Sequence, residues 1–567
     1  MTVLDDFFEQ YYRARPVTAT FTGVHDFDDR LPDWSPGGLD ALDAGMAALV
    51  PDLRVAAGAR PTAERGTEPD WPSLDAALAA DFLETQRAEL ASAHGVRGNP
   101  VYWTGEAIFG VISLMLRPSS SMRRRAAHVA SRLQAVPQFL AAARATIGAR
   151  AVPEPWAARA LRECDGADTL LARGLGQWLE WLPRSSVEIG PAGKVAPDAL
   201  ARQVLDAAAA ARAAFAEFAN WLRTKPAAAP KAIVGGALFD TLLATGHACE
   251  RSAASLLQQA RDEFAAARAK LEADSRETAG SWEAADQRLS AAHPPTAEYL
   301  AAFERTWAQC RAKVERLDLV SWPKWPLRYV IQPEWAQESA PYLYFLPYRA
   351  PAPNDTVRAH DYLIPPIPAA NADQHLSAWN HAVIKLNHVV HHGAIGHHVQ
   401  NWFAYHRAES RVGRVAAVDG ATRIGMFTGG TMAEGWACYA TDLMDEIGFL
   451  TPLERLAQQH TRVRLLARAI VDIELHQGSM TFDEAVAFYV ARVGMKPAAA
   501  LSEATKNSLF PATAVMYWLG TSGIHALRAE LSRRQGPAFA LKAFHDALLS
   551  HGSIPVAAAA RRMLGAA

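Results

Sequence analysis

The sequence lacks the patterns of a disulfide-rich, zinc-ribbon or membrane-spanning protein. Its 567 residues include only four cysteines, Cys164, Cys249, Cys310 and Cys438, with no C-x-x-C pair. No apolar run reaches the roughly 18 residues of a membrane span. The opening residues MTVLDDFFEQYYRARP contain neither the basic region nor the apolar region of a signal peptide. We therefore expect a cytoplasmic protein without a membrane partner.

Neither sign of charge is in excess. The chain has 57 Lys and Arg against 59 Asp and Glu, which gives a net charge of −2 and a pI of about 6.8. Proteins that hold nucleic acid through their overall charge are normally basic. We therefore expect no nucleic-acid partner. Hydrophobic residues make up 50% of the chain, enough to bury a large core.

Apolar residues recur at helical spacing over long stretches. Leu200–Leu222, Ala253–Leu271 and Leu453–Val471 are predicted helices. The polar stretch Arg60–Pro72 reads as a surface loop. The break at Lys225–Gly236 suggests an N-terminal helical half (1–235) and a second half (236–567), joined in one compact unit.

The region 322–368 differs from these helical stretches because it is rich in proline and aromatic residues. Leu327–Gln332 and Tyr342–Leu346 are predicted strands of a small central sheet. Four tyrosines in this region either wall a substrate cleft or pack within loops. These are Tyr342, Tyr344, Tyr348 and Tyr362.

Histidine is concentrated just after this region. Seven of the 19 histidines lie between His375 and His398, most of them in the segment NHVVHHGAIGHHVQ at 387–400. Neutral imidazole is a common ligand of zinc, iron, copper and nickel. One histidine would be read as a helix-face residue, but five in eleven residues favour a metal site. His391 with either His397 or His398 is the predicted pair, provided that Gly393 or Gly396 breaks the helix between them.

Several segments together resemble the bacterial domain-of-unknown-function family 885, a zincin-like group related to metallopeptidases. Residues 391–400 are similar to its H-E-x-x-P-G-H-H-x-Q signature, and 434–440 (EGWACYA) to its E-G-W-A-x-Y-A-E motif. Further blocks match at Arg468–Gly478, at Glu503, Pro511, Tyr517 and Gly520, and at Pro16–Pro36 and Phe544–Pro555. The resemblance covers essentially the whole chain.

The chain departs from the family pattern at the residue next to the first histidine. His392 stands where the family has the glutamate of its H-E pair, and Ile395 where it has proline. Thr441 replaces the last glutamate of the second motif. In zinc peptidases the glutamate beside the first ligand is the general base. The metal site is therefore expected to persist, with His392 as a replacement acid or base or as a further ligand.

The resemblance also implies roles for residues that have simpler structural readings. Glu434 is expected to be the third metal ligand, although a glutamate near a helix start is favoured by the helix dipole alone. Arg468 and His476 share a helix face with Asp472 and are expected to contact an anionic substrate group or oxyanion. The alternative is a surface ion pair. Tyr517 is an expected oxyanion donor or an ordinary core tyrosine.

Taken together, these observations predict a mainly α, zincin-like multi-helical fold with a small central β-sheet and a deep cleft. The leading hypothesis is a metal-dependent hydrolase, with zinc, or alternatively iron, as the divalent metal and a peptide-like or small amide substrate. Two alternatives stay open. One is a non-hydrolytic metalloenzyme, a lyase or non-heme iron oxygenase, with a two-histidine, one-carboxylate site. The other is a non-catalytic descendant that binds a ligand in the same cleft.

Overall fold

A computed structural model describes residues 2–58, 70–116, 119–182, 197–228, 235–343, 348–349, 351–355, 359–421 and 424–565. These residues are mainly helical, which confirms the predicted fold class. The first α-helices are α1 Val3–Ala14, α2 Pro16–Thr22, α3 Pro36–Gly58, α4 Trp71–Ala91, α5 Pro100–Leu116, α6 Met122–Ile147, α7 Glu154–Thr169, α8 Leu175–Leu179, α9 Pro197–Arg223, α10 Gly236–Thr241, α11 Ala253–Ala279, α12 Trp282–Ala291 and α13 Tyr299–Arg316. The remainder are α14 Glu334–Gln337, α15 Ala372–Ala378, α16 His381–Val383, α17 His397–His406, α18 Arg411–Val415, α19 Gly430–Glu446, α20 Pro452–Gln477, α21 Phe482–Val493, α22 Pro497–Leu509, α23 Val515–Gln535, α24 Leu541–Ser550 and α25 Val556–Gly565.

Three π-helical stretches interrupt or extend these helices, at Leu170–Gly174, Leu242–Gly246 and Ile384–Gly393. Short 3₁₀ turns lie at His25–Phe27, Thr296–Glu298, Ala369–Asn371, Phe427–Gly429 and Gly536–Ala538. π-Helical turns are rare and often lie at functional sites. The longest of the three carries His388, His391 and His392 of the histidine cluster.

The three predicted helices are confirmed as α9, α11 and α20. α20 begins where the side chains of Thr451 and Glu454 form a capping box, and it ends at Gly478, which adopts a left-handed conformation. The predicted loop at Arg60–Pro72 lies largely outside the described residues, and α4 already begins at Trp71.

The described strands form two small parallel pairs. β1 (Val152–Pro153) pairs with β2 (Ala227–Ala228), and β3 (Leu327–Ile331) pairs with β4 (His360–Ile364). β3 confirms the first predicted strand of the 322–368 region.

The second predicted strand of that region is wrong at its start. Tyr342 and Leu343 both donate their backbone N–H groups to the carbonyl of Ser339, so a turn satisfies them and no strand begins there. Residues 344–346 of the predicted strand, including Tyr344, lie outside the described residues.

Close helix packing places the later motifs next to one another. α19 packs along α23, and α11 along α20. At the first of these contacts Gly520 faces Gly435, and a Cβ at Gly520 would lie 2.0 Å from the carbonyl oxygen of Thr431. Only glycine permits this approach. One hydrophobic core contains residues of α1, α3 and α4 together with residues of α19 and α23–α25. Residues from both sides of the predicted division at 235 therefore pack in the same core. Among the described residues, no helix is long and apolar enough to cross a membrane.

Candidate metal centre

A chain reversal brings the two predicted histidine ligands together. His391 lies near the end of the π-helix, and His397 is the first residue of α17. Between them Gly396 donates its N–H to the carbonyl of Val390, at 2.9 Å. A Cβ at Gly396 would lie 1.9 Å from the carbonyl oxygen of His391, so the reversal requires glycine. Trp436 fixes it by donating its indole N–H to the carbonyl of Ile395, at 2.8 Å.

Glu434, on α19, meets both histidines. Its Oε2 lies 3.4 Å from Nε2 of His391 and 3.5 Å from Nε2 of His397. The three side chains are only 12–15% exposed. The motif residues predicted to be ligands therefore converge on a single carboxylate oxygen, although they come from three separate helical elements.

These distances suit a shared metal better than direct hydrogen bonds. Good N–H···O bonds measure about 2.7–3.2 Å. Ligand atoms about 2.0–2.1 Å from a tetrahedral zinc ion stand about 3.3–3.4 Å apart. Oε2 of Glu434 is also shielded from solvent, and among the described residues it accepts no hydrogen bond of ordinary length. A buried carboxylate oxygen normally has a partner, so these residues fit a divalent cation.

His392 adds a third imidazole to this group. One ring nitrogen each from His391, His392 and His397 can be chosen so that all lie within 4.8 Å of one another. Nδ1 of His392 donates to the backbone carbonyl of Asn387 at 2.6 Å. In the neutral ring Nε2 is then the unprotonated nitrogen, an arrangement typical of metal-bound histidine. His391, His392, His397 and Glu434 are called the metal group below.

Burial and neighbouring charges shift the pKa values of Glu434, His391 and His392 toward the protonation states that a metal requires. Burial alone would raise the pKa of Glu434, but His391 and His397 hold it well below its usual value. Burial lowers the pKa of His391; Glu434 opposes this shift, and the charges of His397 and Arg464 add to it. Burial also lowers the pKa of His392 well below its usual value. A carboxylate beside neutral imidazoles is a suitable donor set for zinc or iron.

The metal group lines a cavity of about 1270 Å³. Tyr348 and Tyr362 of the predicted aromatic wall line it too, whereas Tyr342 is 41% exposed and does not. Tyr362 also lies within hydrogen-bond distance of Nδ1 of His388, at 2.7 Å. The cavity exceeds the roughly 300–1,000 Å³ of most small-molecule pockets, so it has room for an extended substrate.

The structure does not place His398 with the metal group. His398 is fully buried, and its Nε2 donates to the carbonyl of Trp325 at 2.9 Å. Its ring stacks on that of Trp325, with centroids 5.0 Å apart. Because consecutive residues of α17 point in different directions, His397 faces the cavity and His398 faces the core. Of the two histidines left open by the sequence, it is His397 that lies near Glu434.

The α20 residues predicted to face a substrate mostly form hydrogen bonds to other parts of the chain. Asp472 is fully buried and accepts the backbone N–H groups of Ala512, at 3.1 Å, and Val515, at 3.0 Å. His476, contrary to the prediction, does not reach the cavity; it is fully buried, and its Nε2 donates to the carbonyl of Asn507 at 2.8 Å. Arg468 does line the cavity, but it pairs with Glu503, with Nε 2.7 Å from Oε2. These α20 residues, Arg468, Asp472 and His476, are called the anchor face below.

Two further residues of the cavity wall carry functional groups that can bind or polarise a ligand. Tyr517 lines the cavity as predicted, with the guanidinium of Arg468 5.5 Å from its ring centroid. Arg464, one helical turn before Arg468, also lines it and was not singled out from the sequence. Its position could have been found from spacing alone, because residues four apart share a helix face.

The family comparison covers nearly the whole chain. Residues 16–563 match the model of a bacterial protein family of unknown function, DUF885. The chain belongs to DUF885. The resemblance drawn from its motifs is thereby confirmed for the family itself. No curated protein is significantly similar to the chain.

Two solved structures share the fold of this DUF885 chain. One is "a putative lipoprotein of unknown function" from Shewanella oneidensis, with 20% identity, a TM-score of 0.75 and 99% of each chain covered. The other is a putative lipoprotein from Colwellia psychrerythraea, with 16% identity, a TM-score of 0.78 and 99% of each chain covered. At this level of identity the likeness concerns the fold alone.

These neighbours contradict the expected cytoplasmic location. Both are described as putative lipoproteins, a class of membrane-anchored and secreted proteins. The expectation rested on cysteine content and on the absence of targeting signals. A lipid anchor is attached outside the folded domain, so the composition of the fold carries no record of it.

Proposed function

We propose that this DUF885 chain is a metal-dependent hydrolase of zincin type that acts on a peptide-like or small amide substrate. The observation that carries the proposal is the convergence of His391 and His397 on one orphaned oxygen of Glu434, at 3.4 and 3.5 Å, in the wall of a large cavity. His391, His397 and Glu434 would hold the metal. Three protein ligands leave a coordination position open, which is the mark of a catalytic rather than a structural zinc site.

A divalent metal at this position, zinc or iron, would supply Lewis acidity to the amide carbonyl and to water. His392 is oriented to handle the proton. Because its Nδ1 donates to Asn387, its Nε2 can accept a proton from water and return it to the leaving nitrogen. Tyr517, in the wall of the same cavity, is the candidate hydrogen-bond donor to the oxyanion.

Metal content is the first test. Protein purified without added metal is analysed for zinc and iron, alongside Glu434→Gln and His397→Ala. We expect about one metal ion per wild-type chain and little in either variant, because each variant removes a ligand. His406→Ala, at the exposed end of the helix that His397 begins, is the matched control. Equal metal in wild type and Glu434→Gln would contradict the proposal.

Substitution of His392 tests the chemistry. His392→Ala should keep its metal and lose roughly 10²–10⁴-fold in amide hydrolysis, the usual contribution of a general base. His392→Glu should hydrolyse simple peptides at least as well as wild type, because a carboxylate next to the first ligand is the usual base of this class.

A second candidate function is favoured by the same residue. If Nε2 of His392 is a third nitrogen ligand, the site would hold three histidines and one glutamate and would have no free base. That donor set suits non-hydrolytic iron chemistry, as in a lyase or oxygenase. Loss of metal from His392→Ala, together with bound iron and oxygen-dependent turnover, would favour this second function over hydrolysis.

A further inference from the structure

Arg464 is a cationic residue of the cavity wall close to the metal group. It lies on the face of α20 that also turns Thr461 and Arg468 toward the cavity. Its charge acts on His391 of the metal group, and also on Glu503, Tyr517 and Cys438. Arg464 therefore shares the cavity wall with the metal group and the Arg468–Glu503 pair and is close enough to act on the charges of both.

Arg464 differs from the other arginines around the cavity because none of the described residues pairs with its guanidinium. Arg468 pairs with Glu503, Arg159 with Glu163 at 2.8 Å, and Arg349 donates to the carbonyl of Gly420 at 3.0 Å. In the part of the chain that the structure describes, no residue accepts a hydrogen bond from Arg464 or forms an ion pair with it. Its Nε is nevertheless shielded from solvent.

Arg464 is half-buried, and its Nε is the part shielded from solvent. Leaving that donor without an acceptor costs about 1–3 kcal/mol or more, because it belongs to a charged group. Glu503, the carboxylate whose charge acts on Arg464, already pairs with Arg468. A cation in the cavity wall that the described residues leave without an acceptor is suited to an anion that enters with the substrate.

We propose that Arg464 binds a carboxylate of the substrate while the reacting amide lies at the metal group. Only the position of the reacting amide at the metal group rests on the proposed function; the binding of a carboxylate by Arg464 does not. A guanidinium presents two parallel N–H groups that fit the two oxygens of a carboxylate. Lys506, a half-buried residue of the same wall, adds positive charge nearby. The substrate class is therefore a peptide or N-acyl amino acid with a free carboxylate.

The test compares an acid with its uncharged counterpart. Binding of N-acetyl-dialanine and of its C-terminal amide is measured by calorimetry on the full chain, once stripped of metal with chelator and once loaded with zinc. We expect the acid to bind about tenfold to a hundredfold more tightly than the amide in both forms, as a charge-assisted hydrogen bond provides.

Variants of Arg464 identify the binding residue. Arg464→Gln should abolish the preference for the acid, Arg464→Lys should keep part of it, and Arg462→Gln should leave it unchanged. Arg462 is the matched control because it is an exposed arginine on the same helix. Thermal unfolding of each variant shows that it is folded before binding is compared.

Three outcomes would overturn the inference: no detectable binding of the acid to wild type, no preference for it over the amide, or a preference that survives Arg464→Gln. A preference that appears only with zinc and survives Arg464→Gln would place the carboxylate on the metal instead. Failure of the hydrolase proposal is a separate result. An Arg464-dependent preference in protein that hydrolyses no amide would overturn the proposed function and leave the anion site standing.

Discussion

The metal group and the anchor face contain the same kinds of residue and differ in how completely those residues are paired. Asp472 accepts two backbone N–H groups, His476 donates to a carbonyl, and Arg468 is bidentate with Glu503. In the metal group, Oε2 of Glu434 accepts no hydrogen bond of ordinary length from the described residues, and the nearest histidine nitrogens lie 3.4 and 3.5 Å away. Both regions fall within segments that were predicted to be family motifs.

This difference in pairing distinguishes residues that stabilise the fold from residues that we propose bind a ligand. A buried polar group whose partners lie within the chain stabilises one arrangement of the backbone. A buried polar group without a partner destabilises the fold until something binds it. The anchor face fixes the connection between α22 and α23 against α20, whereas the role that we propose for the metal group is to bind a cation.

The largest contrast should appear on removal of one residue from the metal group. His397→Ala should weaken zinc binding by more than the 10- to 100-fold that loss of a supporting hydrogen bond costs, since it removes a ligand. The variant should unfold at close to the temperature of metal-free wild type, because the ring contacts of His397 are with Tyr348, His391 and His392 in the cavity wall. Competition with a chelator gives the affinity, and calorimetry on both metal-free proteins gives the unfolding temperatures. A variant that melts far below metal-free wild type would contradict the comparison.

The reverse result is expected on the anchor face. Asp472→Ala strands the N–H groups of Ala512 and Val515 and should lower the free energy of unfolding by about 2–4 kcal/mol. Ala512 also needs that support because its φ is +57°, a left-handed conformation that costs an alanine about 1 kcal/mol. Zinc per folded chain should not change. Denaturant unfolding checks the energy, with exposed Asp262→Ala as control.

The fold was largely predictable because its signals are local. The helical spacing of Leu453, Leu456, Val463 and Leu466, with a capping residue before it, is enough to predict α20. The strand predicted at Tyr342 failed because β-prone residues there are satisfied by a turn to Ser339. Tertiary context decided that case, and single-sequence patterns do not contain it.

The sequence was enough to name the residues of the site, but not to tell which of the named histidines face the cavity and which are buried in the core. Histidine density and motif position pointed to His391, His397 and Glu434, which the fold does bring together. The same signals pointed equally to His398 and His476, whose rings are fully buried. Whether a histidine meets a carbonyl or faces a cavity depends on the reversal at Gly396 and on the partner helix. Arg464 was not identified from the sequence. What distinguishes it is that none of the described residues pairs with it, and pairing can be seen only in the structure.

The pH dependence of stability sharpens the comparison at Asp472. Burial raises the pKa of Asp472 to about 8, although three backbone N–H groups, those of Val515, Ala512 and Ala514, act to lower it. This pKa is above the value near 3.9 of an unfolded chain, so folding takes up a proton at Asp472 between these two pH values. The stability that protonated Asp472 contributes is therefore complete below about pH 4 and is lost as the pH rises toward 8. The wild-type advantage over Asp472→Asn should shrink by up to about 1.4 kcal/mol per pH unit between pH 5 and 7. Parallel stability curves for the two proteins would contradict this.

The smallest expected effect comes from turning a paired residue into an unpaired one. Glu503→Gln removes the charge that neutralises Arg468 and leaves a second guanidinium available in the wall beside Arg464. Coulomb attraction from the freed cation should tighten binding of N-acetyl-dialanine relative to its amide by about threefold to tenfold, an effect of about 1 kcal/mol. Calorimetry on metal-free protein measures the ratio. Glu272→Gln, which breaks an Arg–Glu pair on the surface of α11 away from the cavity, should leave the ratio unchanged. If Glu503→Gln leaves it unchanged as well, pairing is not what separates Arg468 from Arg464, and the distinction between anchoring and ligand-binding residues would fail at this position.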